Sequence, residues 1–411
     1  MSSGAENTLT WLCRESMPPV DRKIKVNQPL AIVGASARAA AASAVRAGFQ
    51  PVAADLFADA DLRAIATSTR ISPYPEGLID WLRALQPPAW MYTGALENHP
   101  DLIDQMAWVA PLWGNSGDVL ARVRSPWELA ATLRDAGLLF PETRSSPDGL
   151  PRDGSWLAKT YRGASGSGVR AWSEERGARS EENDAAVPVC FQRRIPGMPC
   201  AAAFVAADGS ATLLGVTRQL VGEPWLGAHG FQYAGSIGPL LLDEPMLAAI
   251  ALGGNALAER FDLVGLFGVD FILDDARVWT LEVNPRYTAS IEIVERATGA
   301  HALATHAAAC SGLQPAIRHP ESAIAPPPLV YGKAILFARC DIVMGGDVAT
   351  TALSEASRQP WPALADVSPA GTLIEAGRPV LTLFADGATV DEVENGLRQR
   401  AAAIERALYA D

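Results

Sequence analysis

Two apolar runs near the middle of the chain, joined by a short turn-forming segment, restrict its folding more than any other feature. Phe267-Gly268-Val269-Asp270-Phe271-Ile272-Leu273 is apolar except for Asp270. Val278-Trp279-Thr280-Leu281-Glu282-Val283-Asn284 has a period of two: Trp279, Leu281 and Val283 share one strand face, and Thr280, Glu282 and Asn284 the other. Asp274-Asp275-Ala276-Arg277 supplies the turn, so the pair reads as a hairpin. A three-residue loop, Asp275 to Arg277, sets residue 270 directly opposite residue 282, with Cβ atoms about 4.5–5.5 Å apart. Two carboxylates that close repel each other unless positive charge lies between them. Mg²⁺ suits the position, because it takes oxygen ligands and commonly joins one or two carboxylates to substrate phosphates. Asn284 adds a neutral oxygen on the same face, and Arg286 a charge for phosphate or carboxylate beside the metal. A solvated strand face is the usual explanation for paired strand acids. It fits poorly here, because Asp270 stands alone in an apolar strand.

The rest of the chain frames this hairpin. Its 411 residues suffice for two or three domains. Pro29 to Gly34, the alanine-rich stretch Ala35 to Gly48 and Pro51 to Asp55 read as a β-α-β start. The turn G-A-S-A-R-A lacks the second glycine that brings a backbone close to pyrophosphate, so a dinucleotide site is weakly supported. Ala107 to Leu112 reads as a further strand of this unit. Ser125 and Pro126 form a helix start, N-cap and N1, with the helix ending near Asp135 before Gly137. Short strands follow at Trp156–Tyr161, Val169–Trp172 and Val187–Arg193, with the polar insert Ser173 to Ala186 as an exposed loop. A helix from Glu244 to Arg260 precedes the hairpin, and the proline-rich Ile324 to Val330 reads as a linker. A C-terminal unit has strands near Gly332–Phe337 and Pro379–Phe384 and a last helix over Thr389–Leu408.

Lys plus Arg number 34 and Asp plus Glu 46, giving a net charge of −12, which argues against nucleic acid bound through a broad basic surface. The five cysteines form no C-x-x-C pair and are read as reduced, mostly buried thiols. The N-terminus has neither a basic n-region nor a long apolar h-region, and no apolar run is long enough to span a bilayer; no membrane association is expected and cytoplasmic is the default location.

Two further segments carry chemistry. In Trp156-Leu157-Ala158-Lys159-Thr160-Tyr161-Arg162-Gly163-Ala164-Ser165-Gly166-Ser167-Gly168, a lysine near a strand end precedes a loop rich in small residues. Free backbone N–H groups there make an anion cradle, and Lys159 adds a point charge; a flexible hairpin loop has the same composition. It is no Walker A loop, because no G-K-[ST] opens a helix. Cys190-Phe191-Gln192-Arg193-Arg194-Ile195-Pro196-Gly197 is a strand running into a turn, either a hinge behind a base or simply a strand end.

In this order, and with the spacings 270, 282, 284, 286, these segments resemble the ATP-grasp superfamily across Arg124 to Gly299. The texture of GMPCAAAFVAADGSATLLGVTRQLVGEPW, FQYAGSIGPL and LEVNPRYTASIEIVERATG is similar to the group described as predicted ATP-dependent carboligases related to biotin carboxylase. Some of its members accompany tetrahydromethanopterin- and methylofuran-linked one-carbon metabolism. The resemblance implies an α/β and α+β multidomain protein. It would comprise a Rossmann-like pre-ATP-grasp domain at 1–122, an ATP-grasp module at 123–322 with a lid at about 150–197, and a small α+β domain at 323–411. It implies ATP and Mg²⁺ as cofactors, with Mn²⁺ as a substitute. It assigns Asp270, Glu282 and Asn284 to the metal, Lys159 to the α- and β-phosphates, and Gly163, Ser165, Gly166, Ser167 and Gly168 to a mobile lid over the triphosphate. Gln192, Arg193, Arg194 and Ile195 would face adenine, mostly through backbone, and Arg286 would stabilise the acyl-phosphate region. Tyr233 to Gly238, including Ser236, would line the acceptor side, with His229 and Tyr287 as further substrate contacts. His301 and His306 carry no assigned role.

Three departures stand out. The usual hinge glutamate is Gln192, the acid that often holds the ribose falls at Pro199, and the early phosphate-binding lysine has only Arg124 nearby. The implied reaction is ADP-forming ligation: a carboxylate takes the γ-phosphate and an amine displaces it from the acyl phosphate. Small-molecule carboxylate and amine substrates are the expected partners, joining glutamate to an amino acid or amine in one-carbon cofactor assembly. A bicarbonate-using carboxylase or a nucleotide-binding regulator without turnover are the alternatives. Oligomeric state is open, with a homodimer as one option.

Overall fold

The computed structural model describes residues 27–173, 189–275, 277–313, 329–358 and 361–409. Cys13, residues 174–186 of the polar insert and residues 324–328 of the linker lie outside them.

The N-terminal unit is a four-stranded parallel sheet in the order Thr67–Arg70, Gln50–Asp55, Pro29–Val33, Trp90–Tyr92. Leu30 to Val33 are fully buried, as a strand covered on both faces requires. The following helix is shorter than the alanine run suggests, Arg38–Arg46, because Gly34 to Ala37 form the connecting turn. Asp55 closes that turn by accepting hydrogen bonds from the backbone N–H groups of Ala37, Phe57 and Ala58. The acid at the strand end is thus occupied by the protein's own backbone.

Ala107–Leu112 is not a strand. Helix Pro100–Ala107 runs into it, Trp108 and Val109 form a turn, and only Leu112 bridges Trp90. The apolar run is a helix C-terminus buried through Met106 and Ala107, followed by the exposed Trp108. Periodicity cannot separate a short buried strand from a helix end of the same composition.

A second, eight-stranded sheet forms the centre. Its order is Arg277–Asn284, Gly265–Asp274, Met198–Ala207, Ser210–Val221, Tyr233–Gly238, Val330–Phe337, Pro379–Gly387, Leu364–Ala365. The strands of the C-terminal unit therefore continue the central sheet. Helix Glu244–Phe261 packs on one face with Phe204 and Phe267, which stack at 5.0 Å. Helices Ile291–Thr298 and Ala302–Cys310 cover another part of the sheet and share a core with the N-terminal helix through Ala37, Ala40, Ile291 and Leu303. The last helix, Val390–Leu408, is N-capped by Thr389 and buries Val393, Leu397 and Ala401.

Residues 143–193 contribute a separate four-stranded antiparallel sheet, in the order Thr143–Arg144, Val189–Arg193, Asp153–Thr160, Val169–Ser173. Its small core is Trp156, Ala158 and Phe191. Helix Pro126–Asp135 leads towards it, with Ser125 accepting from the Glu128 N–H as its N-cap. Among the described residues the cysteines are free: Cys190 and Cys200 are buried, Cys310 is half-buried and Cys340 is exposed. No helix among them is long and apolar enough to cross a membrane.

Candidate active site

The hairpin reaches the expected register by an unexpected route. It closes at Asp274 opposite Arg277, leaving a two-residue turn rather than three. The register then shifts by one between Phe271 opposite Thr280 and Asp270 opposite Glu282. The extra residue is Leu281. A β-bulge of this kind reverses the side-chain alternation. Val278, Thr280 and Val283 all pack inward, while Leu281 and Glu282 both line a cavity of about 970 Å³. Thr280 therefore does not join the polar row, which begins at Glu282.

Asp270 is held from both sides: Oδ1 accepts from Gln219 Nε2 at 2.8 Å and Oδ2 from Asn284 Nδ2 at 3.0 Å. Burial, reinforced by the neighbouring Glu282, pushes its carboxyl up to about 8. For Glu282, burial works against the charged form, but Lys159, a hydrogen bond with Asp270, Arg124 and Arg286 outweigh it and hold the carboxyl below its ordinary value. The two carboxyls oppose each other across the strand pair, and a divalent cation between them would offset their repulsion. Asn284 needs a rearrangement to join them: its amide nitrogen faces Asp270, and its oxygen accepts from Arg286 at 3.1 Å. A half-turn of the amide would present the oxygen. Among the described residues no group of three His, Cys, Asp or Glu could hold a metal ion.

Arg286 is fixed by Glu97, a residue without any signal in the local sequence. Its Nε and one terminal nitrogen lie 2.8 and 2.6 Å from Glu97 Oε1, with side-chain exposures of 12% and 2%. Burial alone would lower the guanidinium's affinity for its proton; Glu97, with Asp270 and Glu282, outweighs it and raises that affinity. Glu97 sits in a short 3-10 turn following the fourth N-terminal strand, 189 residues away in sequence.

Lys159 donates to Gln192 Oε1 at 3.1 Å, and Gln192 Nε2 donates to Thr143 Oγ1 at 3.3 Å. The lysine thus has a neutral partner and is placed by the small antiparallel sheet. Arg193, Arg194 and Ile195 also line the cavity, but the N–H groups of Arg193 and Arg194 already donate to the carbonyls of Glu142 and Ser155.

The glycine-rich loop rests on the sheet. The Ser165 carbonyl accepts from Tyr233 N–H at 3.1 Å. Gly166 has φ +79°, and a Cβ there would lie 1.9 Å from the Phe231 carbonyl oxygen, so only glycine permits this approach. Gly163, Ser165, Gly166 and Gly168 face the cavity, whereas Ser167 turns back to donate to the Ala164 carbonyl. Arg124 anchors the loop's start, donating to the carbonyls of Tyr161 and Gly163 and to Asn98.

The remaining residues separate. Tyr233 lines the cavity and bonds Ser236 at 2.8 Å; Ser236 is fully buried behind it. Tyr287 is a buried wall residue. His229 is exposed and outside the cavity lining, beside Gly230 and Phe231, which are in it. His306 is structural: its Nδ1 accepts from Leu266 N–H at 2.9 Å, and Nε2 lies 3.2 Å from the Trp113 carbonyl.

Among curated sequences, the chain is 37% identical over 93 residues to the carbamoyl phosphate synthase large chain of Neisseria gonorrhoeae, covering 23% of this chain and 8% of that protein. Among solved structures it superposes on an L-amino acid ligase from Bacillus licheniformis with a TM-score of 0.65 and 16% identity, covering 92% and 97% of the two chains. The biotin carboxylase domain of Hydrogenobacter thermophilus 2-oxoglutarate carboxylase, a dimer complexed with MgADP and bicarbonate, gives 0.64 and 15%, covering 90% and 88%. At these identities the structures establish shared fold. Residues 123–290, which include the Asp270–Glu282 hairpin, match the family model of the ATP-grasp domain.

Proposed function

We propose that the protein is an ATP-dependent, ADP-forming carboxylate–amine ligase working through an acyl phosphate. The observation that carries the reading is the opposed Asp270–Glu282 pair, sharing one cavity with Lys159, Arg286 and the docked glycine-rich loop. ATP would enter with its phosphates against Lys159 and the loop N–H groups, and its base towards Gln192 to Ile195. Asp270 and Glu282, with Asn284 after its amide turns, would hold Mg²⁺, which neutralises phosphate charge when bound. Arg286, kept in place by Glu97, would orient the acid's carboxylate for attack on the γ-phosphate and stabilise the resulting acyl phosphate. The loop would exclude water, which would otherwise hydrolyse that intermediate. Tyr233 would border the acceptor.

The finer assignment, joining glutamate to an amino acid or amine in methylofuran- or tetrahydromethanopterin-linked cofactor assembly, rests on sequence texture and is part of the proposal. The test is ADP release with a panel of carboxylic acids and amines, followed by turnover with an acid labelled with ¹⁸O in its carboxylate. The ligase reading predicts amine-dependent ADP release and one labelled oxygen in the phosphate formed. Unlabelled phosphate would overturn acyl-phosphate chemistry, and turnover with bicarbonate alone would assign a carboxylase instead.

A further inference from the structure

The same cavity wall contains a second polar cluster that the ATP chemistry leaves unused. Arg38, at the start of the N-terminal helix, lies 2.5 Å from Glu292 Oε1 and 3.0 Å from Asp366 Oδ1. Lys333 donates to Glu292 Oε2 at 3.1 Å, and Thr382 Oγ1 donates to Asp366 Oδ2 at 2.5 Å. Four parts of the chain meet here: the N-terminal unit, helix Ile291–Thr298, the C-terminal strands and the turn after Leu364–Ala365. That turn is held in place: Asp61 accepts from the N–H groups of Asp366 and Val367, and Asp366 itself has φ +54°, a conformation costly for a non-glycine residue.

The burial of this cluster is uneven. Arg38, Glu292 and Lys333 have side-chain exposures of 3%, 1% and 5%, whereas Asp366 has 27%. Both cations are consumed internally, Arg38 by Glu292, Asp366 and Asp61 and Lys333 by Glu292. A ligand reaching this wall therefore meets a carboxylate, not a free cation. Asp366 Oδ1 has a single donor, Arg38, and so keeps an acceptor position unfilled. Such a wall suits a cation and repels a second carboxylate.

We infer that Asp366, supported by Thr382, forms an ammonium-recognising subsite that binds the amine substrate in its protonated form before ligation. This rests on the ligase reading and extends it: the acid belongs at Arg286, and the amine at a carboxylate supplied by the C-terminal unit. It names primary amines and α-amino acids as the acceptor class.

The test uses the full chain in calorimetric titration. Probes are n-butylamine, putrescine, ethanolamine and the α-amino acids, each compared with its deaminated or N-acetylated counterpart. At least one amine is expected to bind at least 10-fold more tightly than its uncharged counterpart. Asp366→Asn should weaken that amine by about 10- to 100-fold, the usual loss for a charged hydrogen bond. Thr382→Val leaves the Arg38 pairing in place and should weaken it several-fold. Equal binding of amine and counterpart, no amine binding at all, or unchanged amine affinity in both variants overturns the subsite. MgATP titration of the same samples keeps the two ideas separate. Its failure would overturn the ligase reading, whereas MgATP binding without amine binding overturns the subsite alone.

Discussion

Glu97 offers the sharpest test of how the site is assembled. It contributes a carboxylate that holds Arg286 and does not itself line the large cavity. Glu97→Ala removes one partner of an ion pair whose side chains are 12% and 2% exposed. Breaking such a pair costs about 3–5 kcal/mol, because the survivor is left buried without compensation. Arg286 retains the Asn284 side-chain oxygen and the Tyr287 carbonyl as acceptors, at 3.1 and 3.2 Å, so the lower end, about 3 kcal/mol, is expected. Glu97→Gln keeps the shape and one acceptor and should cost about 1–2 kcal/mol. Urea denaturation measures both. Catalysis should suffer further, since freeing Arg286 misplaces the group proposed to receive the acid; a shift near 1 Å costs about 100-fold in rate. ADP release should fall by that order in Glu97→Ala while MgATP affinity changes little. Wild-type stability and turnover in Glu97→Ala would refute the claim that this pair positions the arginine.

Other consequences are equally concrete. Gly166→Ala places a Cβ against the Phe231 carbonyl, so the loop cannot dock; KM for ATP should rise at least about 10-fold, with the melting temperature nearly unchanged because the loop is peripheral. Gln192→Glu gives Lys159 an anionic partner in place of a neutral one, and MgATP binding, measured by titration, should weaken about 10-fold. Burial lowers His306 to about 4, although the Trp113 carbonyl opposes the shift. The unfolded chain binds that proton near pH 6.5, so the stability His306 confers is complete above 6.5 and is lost as pH falls towards 4. The loss totals about 3 kcal/mol. Denaturation at stepped pH should show this slope, and His306→Gln should remove that part of it.

Much of the site was legible because hairpin pairing follows from local pattern. Asp270 opposite Glu282 could be read from two apolar runs and a turn. The bulge at Leu281 could not, because a two-residue turn with a bulge and a three-residue turn without one give the same pairing at that point. They differ in which neighbours face the cavity, and Thr280 was misassigned for that reason. Glu97 and Asp366 were invisible for another reason: they meet Arg286 and Arg38 across 189 and 328 residues, and neither lies in a motif of its own. Arg38, within the turn read as a poor dinucleotide loop, is the hub of the buried cluster. Regular elements with clear caps, such as Pro126–Asp135 and Val390–Leu408, fell within a residue of expectation. Ala107–Leu112 failed because apolar residues ending a buried helix mimic a strand.

The central claim is that Asp270 and Glu282 form a divalent-cation shelf for ATP. Titrating ATP into the protein across a series of Mg²⁺ concentrations, in wild type and Glu282→Gln, tests it without knowledge of the acid or amine. Affinity in the wild type is expected to rise steeply with Mg²⁺, and Glu282→Gln to lose most of this dependence while keeping its fold. ATP binding that is insensitive to Mg²⁺, or equally sensitive in the variant, would contradict it.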